Sequence, residues 1–246
     1  MGASRSQKTL ARFLAPKIEL KSPYFLSPEE SHHLKDVLRL KEGTWIRLLD
    51  LEGKEFLARV EKLGKKVLVR AEKILRQEPP PKVQVILLLP LLKKELLSFL
   101  VEKAVELGIT EIIPFYSSRT IVKASPKLRE KLEKRALQSL KQCGRLWPLK
   151  IYQPLSLREA LSLEAEKKIV AYEREEKVTL KNILESFSAQ KLLLASGPEG
   201  GFSEEEISLL KDAGFLSVSL GPLTLRAETA AFYLMCVSHL LFFQKS

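Results

Sequence analysis

The stretch LLLASGPEGGFSEEEISLLKDAGFLSVSLGPLTLRAETA, running from Leu192 to Ala230, decides how this chain folds. A short apolar run, Leu192 to Ala195, stops at Ser196-Gly197-Pro198-Glu199-Gly200-Gly201. Glycines and a proline packed so closely demand a sharply bent loop with little side-chain bulk. Ser203, with Glu206 three residues on, has the form of a capping box, so a helix starts there and runs to about Gly214. A second apolar run, Leu216 to Leu220, ends at another bent segment, Gly221-Pro222-Leu223-Thr224-Leu225-Arg226. The order strand, glycine loop, helix, strand, glycine-proline loop places two bare loops at the ends of parallel strands. Open α/β sheets bind their ligands at that edge.

Read singly, each loop is an ordinary strand-to-helix turn; two together, both exposing backbone groups, form a candidate binding site. The charges then narrow the ligand. A phosphate-binding loop uses the positive N-terminus of its helix. Here Glu204, Glu205 and Glu206 occupy that first turn, with Glu199 just before it. They satisfy the helix dipole themselves and repel a phosphate. The glycine pattern is neither GxGxxG nor GxxxxGK[ST]. The expected ligand is neutral or cationic near the loop, which disfavours NAD and ATP and excludes a Rossmann dehydrogenase.

The 246 residues fit one large or two modest domains, and 45% apolar with 29% charged residues is the balance of a globular protein. A net charge of +11 points to a polyanionic partner, most simply nucleic acid. Two cysteines, Cys143 and Cys236, make neither a disulfide framework nor a metal cluster, and the simple reading is a reducing cytoplasm. No run reaches the roughly 18 apolar residues of a membrane span, and the N-terminus lacks a signal peptide's apolar core. Met1-Gly2-Ala3-Ser4-Arg5-Ser6 matches the loose myristoylation pattern, for which chance is the simpler explanation. The single asparagine, Asn182, among many Lys and Glu fits a thermophile.

Glu78-Pro79-Pro80-Pro81 is the clearest boundary, because consecutive prolines cannot sit inside a strand or helix. It divides residues 1–78 from 79–246. In the first part Ser27-Pro28-Glu29-Glu30 starts a helix carrying His32, His33, Val37 and Leu38. Adjacent histidines on a helix point about 100° apart, so a structural role is expected for both. Thr44–Leu49, Glu55–Leu63 and Lys66–Ile74 read as strands separated by tight turns, which fits a small β-barrel. In the second part Val83–Leu89, Glu111–Phe115, Leu149–Gln153, Lys168–Tyr172, Leu192–Ala195 and Leu216–Leu220 read as strands alternating with helices. That alternation calls for a parallel sheet with helices on both faces.

Between Arg119 and Lys150 stand ten Lys/Arg and only two acids, Glu130 and Glu133. Leu128, Leu132, Ala136 and Leu140 keep one helical register there, leaving Lys127, Arg129, Lys131, Lys134, Arg135 and Lys141 on the remaining surface. This is either a solubilising face or an RNA-binding face, and the whole-chain charge favours RNA. The last helix, from Glu228 to Phe243, is apolar around nearly its whole circumference and is expected to be buried on all sides. His239 within it reads as a satisfied core residue.

GPEGGFSEEE followed by LGPLTLRAETA resembles the signature of the RsmE family of ribosomal RNA methyltransferases. Lys94-Glu95, Val101–Gly108, Ser118-Arg119-Thr120 and Gln142-Cys143-Gly144-Arg145 match the same family, as does the run His32–Gly43, so the likeness covers nearly the whole chain. The resemblance implies a C-terminal SPOUT-type α/β domain whose parallel sheet carries a trefoil knot holding S-adenosylmethionine (SAM). It also implies a PUA-like N-terminal barrel that helps bind RNA, and a homodimer formed through the last helix. The implied reaction is methylation of N3 of a uridine in 16S ribosomal RNA, in the cytoplasm and without a metal. The knot is legible only through the resemblance, since chains as a rule do not thread loops.

By the same likeness the cofactor would be held by Gly197, Gly200, Gly201, Leu220, Gly221 and Leu225, with Tyr172 and Glu173 as a third loop. RNA contacts are expected at Arg12, Arg39, Arg119, Lys127, Lys134 and Arg145. Uridine N3 carries a proton with a pKa above neutrality, so the site must drain that proton and stabilise charge on the flanking carbonyl oxygens. Arg226 suits the electrostatic task, with Glu228 or Glu199 as proton acceptor or orienting group and Thr229 nearby. A structural Arg226–Glu228 pair is the plain alternative. Family members commonly read GPRxLR where this chain has Leu223, which removes one possible substrate contact. The rival functions are an RNA-binding assembly factor without catalysis and a methyltransferase acting on another base or on tRNA.

Overall fold

The computed structural model describes residues 10–180 and 188–242. The Met1–Ser6 pattern, Asn182 and Phe243 lie outside the described residues. The chain forms two compact units, one comprising the chain up to Pro80 with Leu140–Pro148, the other Pro81–Ser139 with Leu149 onwards. The break between them at Pro80/Pro81 falls within the proline run, and Leu140–Pro148 belongs with the first unit.

In the first unit the strands are β1 (Arg12–Leu14), β2 (Pro23–Phe25), β3 (Trp45–Leu49), β4 (Lys54–Lys62) and β5 (Leu68–Gln77). They pair in the order β1-β3-β4-β5-β2, with β1 parallel to β3 and the other ladders antiparallel. The region expected to form a small β-barrel is a five-stranded sheet in which, among the described residues, no ladder joins β1 to β2. Register shifts between β4 and β5 bend it, as bulges do. The short strand β2 falls between Leu14 and Pro28, a run that reads from sequence as extended and turn-rich. β2 begins with a proline and sits at an edge, where the missing N–H costs no ladder bond. Alternate residues of β3 to β5 (Ile46, Leu48, Phe56, Ala58, Val60, Val69, Ala71) point inwards and pack with Phe13, Leu26 and Leu34.

Helix α1 (Pro28–His32) starts as expected, with the Ser27 hydroxyl accepting from the Glu30 N–H, and continues as a π-helical turn, His33–Val37. His33 stands edge-on to the Phe13 ring and exposed His32 lies 2.6 Å from Asp36, so both histidines have structural partners.

The second unit is a seven-stranded, wholly parallel sheet. Its strands are β6 (Gln84–Pro90), β7 (Glu111–Tyr116), β8 (Lys150–Ile151), β9 (Leu155–Ser156), β10 (Lys167–Ala171), β11 (Lys191–Ala195) and β12 (Leu216–Val218). The order is β12-β10-β11-β6-β7-β8, with β9 also on β7. Central strand β6 is buried on both faces after its first residue, which is why it reads as a continuous apolar run. Ile86 and Leu88 join the core beneath helices α4 (Leu157–Leu161) and α5 (Glu204–Asp212), while Val85 and Leu87 are buried on the opposite side. Helix α2 (Lys94–Glu106) packs with α6 (Ala227–Phe242) through the Phe99–Phe232 ring pair, and His239 approaches the Leu107 carbonyl at 3.2 Å, a satisfied position as expected. Helix α3 (Leu128–Cys143) carries the basic segment.

Within one chain helix α6 is covered on part of its circumference: Ala227, Ala231, Leu234, Met235 and Ser238 form its covered stripe, whereas Tyr233 and Leu240 are 43% and 54% exposed. A helix can hide only the stripe that meets its neighbours, and α2 meets one side. No described helix is long and apolar enough to cross a membrane.

The turn between β3 and β4 gives a direct test of packing in the first unit. Asp50 is buried, and its Oδ1 accepts the N–H groups of Glu52 and Lys54 at 2.7 and 2.8 Å. Gly53 follows at φ +95°, where a Cβ would collide with the Glu78 carbonyl oxygen and lie 2.8 Å from the Trp147 ring. Gly53→Ala combines left-handed strain with overpacking and is expected to cost about 2–4 kcal/mol, read as a lower urea midpoint.

Candidate cofactor site

Strands β12, β10 and β11 are neighbours and parallel, so their C-terminal ends share one edge of the sheet. Three loops leave that edge. After β10 come Tyr172 and Glu173; after β11, Ser196 to Ser203; after β12, Ser219 to Arg226. They enclose a cavity of about 290 Å³. All eight residues expected to hold a cofactor line it: Tyr172 and Glu173 from the first loop, Gly197, Gly200 and Gly201 from the second, Leu220, Gly221 and Leu225 from the third. Glu199 lines it too. Sequence reasoning missed Ala171, Pro198, Ser219, Thr224, Ala227 and Ala230. The last two are small residues three apart at the start of α6, a spacing that puts both on one face.

The second loop is a tight turn. The Gly201 N–H donates to the Pro198 carbonyl at 2.9 Å, closing a four-residue bend. Gly201 has φ +70°, and a Cβ there would come 2.6 Å from Glu173 Oε1. The position therefore requires glycine twice over, for conformation and for the close approach of the first loop. Phe202 anchors the far side of the bend, stacked on Phe115 of β7 with ring centroids 6.1 Å apart.

Helix α5 begins immediately afterwards with the N–H groups of Ser203 and Glu206 already used. The Ser203 hydroxyl accepts from the Glu206 N–H at 3.2 Å, and Glu206 Oε2 accepts from the Ser203 N–H at 2.9 Å, a complete capping box. Glu204 pairs with Arg174 at 2.8 Å. A hydrogen bond from the Ser203 hydroxyl, aided by the charge of Arg119, holds the Glu205 carboxyl below its ordinary pKa. This is a helix N-terminus that carries its own anions and offers nothing to a phosphate. Lined by backbone, small residues and the carboxylates of Glu173 and Glu199, the cavity fits an uncharged or cationic ligand.

The catalytic candidates stand around the cavity rather than in its wall, apart from Glu199. Arg226 is exposed between the lining residues Leu225 and Ala227, and among the described residues its side chain has no hydrogen-bond or ion-pair partner. The plain Arg226–Glu228 pair is therefore absent from the described contacts. Glu228 is half-buried and Thr229 exposed in the first turn of α6. Leu223, in place of the arginine common among relatives, lines the cavity yet is 76% exposed.

The RNA candidates divide. Arg39, Lys127 and Lys134 are exposed. Arg12 is not an open surface cation: its Nε donates to the buried carboxylate of Glu55 at 2.8 Å, and its Nη1 to the carbonyls of Lys141 and Gln142, both at 3.3 Å. Its charge is spent compensating a carboxylate that folding removed from water. Arg145 is half-buried as well, and desolvation lowers its pKa to about 10, leaving it an interior cation at neutral pH. Arg119 lies on the cofactor edge, donating from Nη1 to the Gly200 carbonyl at 2.6 Å. Among the described residues no cluster of three His, Cys, Asp or Glu side chains could hold a metal ion.

A parallel sheet with three loops converging on one cavity is the architecture of a ligand-binding α/β enzyme, and sequence comparison gives its class as RNA methyltransferase. An RNA methyltransferase domain model matches residues 78–239, and an RNA methyltransferase PUA domain model matches residues 26–70. The chain belongs to the ribosomal RNA small subunit methyltransferase E (RsmE) family. It is 34% identical to the Rickettsia conorii member over 87% of this chain and 86% of that one, and 30% identical to the Bacillus subtilis member over 92% and 93%. A putative methyltransferase from Legionella pneumophila, solved with SAM bound, superposes with a TM-score of 0.84 at 30% identity, over 93% of this chain and 96% of that one. The Neisseria gonorrhoeae ribosomal RNA small subunit methyltransferase E, also solved with SAM, gives 0.80 at 26% identity over 95% and 98%.

Glu206 is the buried anchor of this edge, 6% exposed and accepting N–H groups from Ser203 and, at 2.7 Å, from Ser118. Glu206→Ala leaves both donors orphaned and is expected to cost about 2–4 kcal/mol. Glu206→Gln, which keeps one acceptor, is expected to cost less, with both read from chemical denaturation.

Proposed function

We propose that this protein binds SAM in the three-loop cavity and methylates N3 of a uridine in 16S ribosomal RNA. The observation that carries the reading is the convergence of three loops on one cavity whose adjoining helix N-terminus is already neutralised. Backbone groups of the second and third loops suit adenine and the methionine moiety, and the carboxylates of Glu173 and Glu199 suit a cation. Bound there, SAM supplies an activated methyl group, so no metal is required.

The remaining work falls to the chain's own side chains. Arg226, unpaired among the described residues and adjoining the cavity, holds the uridine carbonyl oxygen on which charge collects as N3 loses its proton. Glu199 lines the cavity and is the better placed proton acceptor; Glu228, half-buried in the first turn of α6, is the alternative acceptor, and Thr229 adds a hydroxyl on the exposed side. Arg39, Lys127 and Lys134 contact RNA phosphates. A base held in a duplex must be turned out of its stack to reach the cavity.

Three further features belong to the same reading. The C-terminal chain forms a trefoil knot. In its support, the connection after β10 lies beside the segment after β12, with the Leu180 N–H donating to the Ser219 carbonyl at 3.2 Å and the Ser219 N–H to the Val178 carbonyl at 2.8 Å. The protein is a homodimer through the apolar stripe of α6 that its own chain leaves uncovered, Tyr233 and Leu240 included. It works in the cytoplasm.

Labelled methyl transfer from SAM to unmodified small-subunit rRNA and to assembled subunits, with the product mapped by mass spectrometry, tests the reaction. Label is expected at a uridine N3, and Arg226→Ala should lower turnover by about 100-fold or more with SAM binding kept. SAM binding without transfer to either substrate would redirect the search to another RNA; neither binding nor transfer in folded protein would leave an RNA-binding module. The dimer is tested separately: wild type should sediment as two copies and Leu240→Glu as one. A wild-type monomer at micromolar concentration would refute it.

A further inference from the structure

The loop after β7 reaches across the cofactor edge and holds the glycine turn from outside. Ser117 and Thr120 close that loop on itself, the Thr120 N–H donating to the Ser117 carbonyl at 3.1 Å and Thr120 Oγ1 accepting from the Ser117 N–H at 2.9 Å. Its middle residues then reach the edge. The Ser118 N–H donates to Glu206 Oε1 at 2.7 Å, and Arg119 Nη1 donates to the Gly200 carbonyl at 2.6 Å. The Arg119 stem also rests on Gly200, its Cβ and Cδ within 3.5 Å of where a glycine Cβ would stand. None of this is used in the proposed chemistry.

The consequence lies in one peptide unit. The Gly200–Gly201 peptide is bonded at both ends, its N–H to the Pro198 carbonyl and its C=O to Arg119. Glycines on both sides give this plane little steric reason to prefer one orientation, so hydrogen bonds must decide it. A charged donor is the stronger kind of partner for the carbonyl. Without Arg119 the carbonyl exchanges with water and the plane can turn, moving the cavity wall formed by Gly200 and Gly201.

We propose that Arg119 is a positioning residue that sets the glycine turn in its ligand-accepting shape before RNA arrives, rather than an RNA contact. The part of the proposal that concerns SAM rests on the function proposed above; the part that concerns the turn does not. Because Arg119 is exposed, Arg119→Ala should fold, and its melting temperature should stay close to wild type.

Two measurements on RNA-free protein test it. Hydrogen exchange of residues 196–203 in the cofactor-free chain should speed up at least about threefold in Arg119→Ala. SAM affinity by calorimetry should fall about tenfold, with Arg119→Lys between the two because it keeps a donor but loses the planar fork. Unchanged exchange overturns the proposal whatever the affinity does. Unchanged exchange and SAM affinity with a raised KM for RNA would assign the side chain to the substrate instead. If exchange responds but the wild type binds no SAM, the function proposed above fails while the positioning role stands.

Discussion

Everything at the functional edge depends on β10 lying between β12 and β11. The glycine-bearing loops after β11 and β12 therefore flank the β10 end that carries Tyr172 and Glu173. Because β11 inserts between β10 and β6, and β12 adds outside β10, the last three strands end side by side. Parallel pairing then points their C-terminal ends the same way. The cavity follows from that order, and so does the demand for small residues: three loops leaving adjacent strands must turn within about 5 Å of each other. Gly201, with the Glu173 carboxylate pressed against it, shows how little room the order leaves.

The same crowding explains the helix that follows. A loop bent this sharply cannot lend its helix a long approach, so α5 must be capped on the spot. Ser203 and Glu206 do this reciprocally, and the second oxygen of Glu206 is left for Ser118. The cap thereby becomes a cross-link between β7 and β11, strands separated in the sheet by β6. The acidic first turn is then intelligible as structure first. Its effect on ligand choice, turning away phosphate, comes with no further residue.

What was legible in the sequence is what is local. Glycine loops, the Ser203 and Ser27 caps and the alternation of apolar runs depend on neighbours within a few residues, and the cavity lining could be named from them. Strands of two or three residues, β1, β2 and β9, carry too few side chains to show a period. The protein partners of Arg12 and Arg119 were not legible for one reason. Each is a cation whose partner is distant in the chain, Glu55 for Arg12 and the Gly200 carbonyl for Arg119, and no periodicity links such pairs. A usable signal did exist for Arg119: Ser118-Arg119 follows β7 at its C-terminal end, the edge where the ligand loops lie. Ala227 and Ala230 were equally available as small residues at helical spacing.

The two arginines of this edge differ in what they already hold. Arg119 already has a protein acceptor, so its charge is partly spent before any ligand arrives. Arg226 has no such partner among the described residues, although Glu228 stands only two positions away. Arg226 itself precedes α6, which begins at Ala227 with Glu228 in its first turn, and no described contact closes the two into a pair. A guanidinium with no acid against it would keep its field for a developing negative charge, which is the role proposed for Arg226 above.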